Sequence, residues 1–160
     1  VTSPARRLLM MTLAAVLAAP LAAAAQDAAP APQAAPAAAD PMKFDSGHAI
    51  ILNEVKADKT ADFEAVWTAI KAGLAASAKP ELQQQAASLK MYKLATALPA
   101  GSPAIYIFAI DPVSQALTYD PVKILFESGA FERAKADELY ARVKDAYARI
   151  TPWPLATFGS

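Results

Sequence analysis

Residues 104–110, Ala104-Ile105-Tyr106-Ile107-Phe108-Ala109-Ile110, closed by Asp111-Pro112, decide the fold. The run is β-branched and aromatic nearly throughout, which favours an extended strand, and Asp-Pro ends it. A strand with one wet face alternates apolar and polar residues. This one is apolar on both parities, so both of its faces are expected to be covered. The stretch Gly47-His48-Ala49-Ile50-Ile51-Leu52-Asn53-Glu54-Val55 has the same character at its centre. Two strands of this kind belong in the middle of a sheet.

Between them, Phe63, Val66, Trp67, Ile70 and Leu74 recur at three- and four-residue steps and predict a helix over about 61–78 with one apolar stripe. Lys56 to Lys59 is its entry turn, with Asp58 or Thr60 able to cap it. Pro80 ends this helix and is suited to start a short second one through Ala87. Leu89-Lys90-Met91-Tyr92-Lys93-Leu94 reads as a strand of mixed polarity, and its two lysines suit a sheet edge. Beyond Ile110, Asp120-Pro121 supplies a cap and a first-turn proline for a short helix, which Gly129 stops. Leu139, Tyr140, Val143, Ala146, Tyr147 and Ile150 predict a longer helix over about 132–150. Thr151-Pro152-Trp153-Pro154 breaks it, leaving residues 155–158 for a last short strand.

The order β-α-β-β-α-β is the ferredoxin-like α+β plan: a four-stranded antiparallel sheet of spatial order 4-1-3-2 with its helices on one face. The two strands apolar on both parities then fall in the centre. Helices cover only one of their faces, and a wide bare apolar sheet face marks an interaction surface. The simplest cover is a second copy of the chain, giving a two-fold homodimer.

The N-terminus is organised differently. Arg6-Arg7 precede the apolar run Leu8 to Ala19, Pro20 interrupts it, and Ala23-Ala24-Ala25 fits a cleavage site before Gln26. Residues 1–25 therefore read as a signal peptide of the general secretory route, too short and broken for a stable membrane anchor. The mature protein is expected in the periplasm or secreted. Residues 26–41 are mostly alanine and proline with no large apolar side chain, and read as an extended disordered tether. Residues 42–160 form the folded domain.

Composition removes several function classes. The 160 residues carry fifteen basic and fifteen acidic side chains. Loss of Arg6 and Arg7 leaves a net charge of −2, which offers no pull on nucleic acid. Cysteine is absent, which excludes disulfides, thiolate metal ligands and a cysteine nucleophile. The five glycines are too scattered for a phosphate loop. No G-x-S-x-G elbow occurs.

The segment Asn53-Glu54-Val55-Lys56-Ala57-Asp58-Lys59-Thr60-Ala61-Asp62-Phe63-Glu64-Ala65-Val66-Trp67 resembles the strand–turn–helix opening of the dimeric α+β barrel superfamily, which includes antibiotic-biosynthesis-monooxygenase-like domains. Leu89 to Lys93, Ile105 to Pro112, Lys123-Ile124-Leu125 and Glu138-Leu139-Tyr140 are similar to segments of exported bacterial proteins of this shape. The resemblance implies sheet-to-sheet dimers with a cavity beneath each sheet. Members range from cofactor-independent oxygenases and isomerases to domains without known activity, and no activity-defining motif matches here.

Four residues are candidates for ligand binding. His48, the single histidine, cannot build a multi-histidine metal site, so no metal or other cofactor is expected. It is a general-base or axial haem-ligand candidate, or a polar residue at a strand start. Asn53 directs an amide into a cavity or closes a turn. Trp67 lies on the helix stripe, as core or as a ligand wall. Tyr106 shares a parity with Phe108 and Ile110 and gives that side one polar handle, or packs in the subunit interface. Tyr92 and Tyr119 offer further hydroxyls, and Trp153 either caps the barrel mouth or staples the tail. Two functions follow: a non-catalytic homodimerising module able to hold a small apolar ligand, or a cofactor-independent monooxygenase- or isomerase-like enzyme. A deep pocket that brings two of His48, Asn53 and Tyr106 to a shared point favours the enzyme, and a dry, filled interior removes it.

Overall fold

The computed structural model describes residues 39–159. The expected signal peptide, the cleavage site expected at Ala25–Gln26 and nearly all of the expected tether lie outside the described residues. The elements are β1 (His48–Val55), a 3-10 turn (Ala57–Lys59), α1 (Thr60–Ala75), α2 (Pro80–Ser88), β2 (Leu89–Lys93), β3 (Ala104–Ile110), α3 (Pro121–Glu127), α4 (Arg133–Val143) and β4 (Tyr147–Leu155). All strand pairs are antiparallel, and the sheet runs β2-β3-β1-β4. This is the expected α+β order, with the two strands whose centres are apolar on both parities in the middle.

Local chemistry sets most boundaries. Asp120 caps α3, its carboxylate accepting from the Val122 N–H at 2.8 Å and the Lys123 N–H at 3.4 Å. Gly129 follows with a φ of 76°, the left-handed conformation that glycine adopts at no steric cost. Pro80 opens α2 in the first turn, as predicted. The capping of α1 is different: neither Asp58 nor Thr60 supplies a side-chain cap, and the 3-10 turn leads straight into the helix.

The larger correction concerns the C-terminus. The helix predicted to Ile150 ends at Val143, and residues 147–155 form a nine-residue strand along β1. Ala146, Tyr147 and Ile150 continue the three- and four-residue spacing by position only. Pro152 and Pro154 fit because β4 is an edge strand. Thr151 and Trp153, on the alternate positions opposite Leu52 and Ile50, keep their N–H groups.

Alternation divides the two central strands. Ala49, Ile51, Asn53 and Val55 are buried, as are Tyr106, Phe108 and Ile110. Phe63 and Trp67 of α1 pack on this parity, Phe63 with its ring 4.6 Å from Tyr106 and Trp67 4.6 Å from Phe108. All five residues of the predicted α1 stripe are buried. Gly73 lets α1 approach the Phe131 ring, which a Cβ there would overlap. The opposite parity, with Ile50, Leu52, Ile105, Ile107 and Ala109, is only partly buried. Ahead of β1, Met42 and Phe44 join the core, and Asp40 pairs with Lys123 at 2.9 Å.

Candidate functional site

A cleft of about 310 Å3 opens between α1 and the sheet edge at β2. Phe63, Glu64, Trp67 and Thr68 line it from α1, Met91, Tyr92 and Lys93 from β2, and Tyr106 and Phe108 from β3. Helix spacing brings Glu64, Trp67 and Thr68 to one side of α1. Strand alternation does the same for Met91 and Lys93 and for Tyr106 and Phe108, and the register sets Met91 opposite Phe108 and Lys93 opposite Tyr106.

The polar group of the cleft centres on one oxygen. Glu64 Oε1 accepts from Lys93 Nζ at 2.8 Å and from the Tyr106 hydroxyl at 2.6 Å. Lys93 also lies 5.5 Å from the centre of the Tyr106 ring. The Lys93 hydrogen bond, then that of Tyr106, holds the Glu64 carboxyl below its ordinary value. The same bond to Glu64 raises Lys93. Burial, reinforced by Glu64, raises the Tyr106 phenol. Near neutral pH the cleft therefore holds one carboxylate, one ammonium and one neutral phenol.

Trp67 closes the inner end. It is 2% exposed, and its indole N–H donates to the Tyr147 hydroxyl at 2.8 Å. It is thus both core and cleft wall. Tyr106 faces α1 with Phe108 and Ile110, which corrects its placement in a subunit interface. The residues of the opposite parity are Ile105, Ile107 and Ala109.

His48 and Asn53 do not join this cleft. His48 lies on the opposite parity at the far end of β1, its Nδ1 3.0 Å from Asp111 Oδ1. Asn53 is buried opposite Tyr106 in the register, and its amide donates to the Ile51 carbonyl at 3.4 Å. Tyr119 is wholly buried, its hydroxyl accepting from the Ser114 N–H. Glu64 and Lys93 were not singled out from the sequence. The available signal was Tyr106: a tyrosine on a buried parity needs a partner for its hydroxyl. Nothing in the linear pattern identified that partner as a helix residue 42 positions away.

Among the described residues, no group of three or more His, Cys, Asp or Glu side chains is arranged to hold a metal. No described helix is long and apolar enough to cross a membrane. No protein-family model, curated protein or solved structure matches the chain.

Proposed function

We propose that the domain is a ferredoxin-like module of the dimeric α+β barrel kind, exported, with its helices on the buried face of the sheet. Two copies pack open face against open face, and the cleft beside α1 holds a small, mainly apolar ligand without transforming it.

The observation that carries this reading is the map of the open face. The registers align Lys90, Ala109, Ile50 and Trp153 in one row across the sheet and Tyr92, Ile107, Leu52 and Thr151 in the next. Their centre, Ala109, Ile50, Ile107 and Leu52, is aliphatic. The His48–Asp111 pair stands at one end of the face and the Glu54–Arg149 pair at the other. An apolar centre with charged ends is the anatomy of a protein interface. Trp153 and Tyr92, 47% and 54% exposed, flank the centre; aromatic residues of this kind are enriched in interfaces. The sheet edges favour a face-to-face arrangement. On β4, Pro152 and Pro154 remove N–H donors from the outer edge, and β2 carries two lysines, both of which oppose strand addition.

The non-catalytic half of the proposal is supported by the cleft, where only Tyr106 of the three convergence candidates is present. The test is solution mass by light scattering at micromolar concentration. Wild type is expected at twice the chain mass, and Leu52→Glu or Ile107→Glu at the single-chain mass with unchanged circular dichroism. A monomeric wild type overturns the dimer.

A further inference from the structure

We propose that the cleft between α1 and β2 selects a compact, flat, uncharged molecule carrying one hydroxyl, seated against Glu64 and Lys93. The proposal rests on the ligand-binding reading above and names the chemistry of that ligand.

Three features lead to it. The first is size and lining. A volume of about 310 Å3 is at the low end for ligand sites and suits a body of one or two rings. Phe63, Trp67, Tyr106 and Phe108 supply aromatic faces and edges, and Met91 an adaptable thioether.

The second is charge. Glu64 and Lys93 pair at 2.8 Å, so the polar end of the cleft is neutral overall. A carboxylate ligand would meet the Glu64 charge and an ammonium ligand the Lys93 charge. Each also meets the opposite charge, and both groups are about half exposed, so the pair offers neither charged ligand a net attraction.

The third is unused hydrogen-bonding capacity. Glu64 receives both of its bonds at Oε1, and Oε2 has no partner among the described residues. Lys93 has three N–H donors, and Glu64 and the Tyr106 hydroxyl take at most two of them. An acceptor and a donor thus stand side by side. A neutral hydroxyl matches both, donating to Glu64 and accepting from Lys93, and a bond to an ionised acceptor is the stronger kind.

The test titrates the labelled protein with 2-naphthol, naphthalene and 2-naphthoate, followed by amide and indole NMR shifts. The Trp67 indole signal is assigned through a Trp153→Phe variant. The expected result is shifts at Glu64, Trp67 and Lys93, with 2-naphthol binding about tenfold tighter than either relative. In Glu64→Ala the order should change, because an unpaired Lys93 then favours 2-naphthoate. Equal affinity for 2-naphthol and naphthalene overturns the hydroxyl preference while leaving an apolar ligand in the cleft. Tightest binding of 2-naphthoate to wild type overturns the selection for a neutral molecule. Shifts absent from the cleft with all three probes overturn both this proposal and the ligand-binding reading.

Discussion

At the scale of single residues, the parity of the sheet that meets α1 is defined by aromatic side chains whose polar tips find partners. Tyr147 accepts from Trp67, and burial, opposed by that hydrogen bond, pushes its phenol well above the usual tyrosine range, so the hydroxyl stays neutral. Tyr106 instead reaches a half-exposed carboxylate. Glu64 carries a pH signature for this reason. Its folded pKa is depressed below the ordinary 4.5, so its stabilising contribution is fully present above that value and lost as pH falls through the lower folded one. Solvent screening keeps the contribution to about 1 kcal/mol or less. Wild type is therefore expected to exceed Glu64→Gln in stability above pH 4.5, with the two urea curves converging below the folded pKa of Glu64. A gap that persists unchanged at strong acidity would assign the stabilisation to packing rather than charge. The polarity of Tyr106 was legible in the sequence; its partners were not, because a three-body contact among α1, β2 and β3 exists only after the chain has folded.

Elements differ in how much of their definition is local. β3 was legible residue for residue, since β-branched and aromatic side chains, Asp-Pro and the preceding turn agree. α3 is equally local: the Asp120 carboxylate, Pro121 and Gly129 each act within a turn of the helix they delimit. Asp120→Ala should cost about 1 kcal/mol of unfolding free energy, and Asp120→Asn much less, since an amide oxygen still accepts from N2 and N3. Chemical denaturation measures both, and an alanine variant as stable as wild type would show that tertiary packing alone holds α3. The boundary of α4 with β4 is not local. Tyr147 and Ile150 suit a helix or a strand, and their assignment to β4 depends on pairing with β1, about a hundred residues earlier in the chain. Prolines at alternate positions were the missed signal: Pro152 and Pro154 share one edge of the strand, which is tolerable only where that edge is unpaired.

On the scale of the molecule, the sheet has two apolar faces and one chain supplies packing for the parity of Phe108 and Ile51. The central order of β1 and β3 was legible because their two-parity apolar pattern exceeds what an edge strand needs. The occupant of the open parity was not, because a lone sequence specifies how much surface must be covered and not by what. If the cover is a second copy, folding and association are one equilibrium, two unfolded chains for each folded dimer, and stability must depend on protein concentration. Each tenfold increase then adds about 1.4 kcal/mol per dimer in favour of the folded state. Melting temperature should climb by a few degrees for each such step in a domain of this size. The dependence holds even for a dimer too tight to dissociate while folded, since the unfolded chains still separate. Leu52→Glu places a carboxylate at the aliphatic centre of the face, where a two-fold contact brings it close to its own symmetry mate, and desolvation adds to the repulsion. Its melting temperature should be lower and independent of concentration. A wild type whose melting temperature stays fixed over a hundredfold dilution would show that the aliphatic centre of the sheet is left uncovered by any copy of the chain.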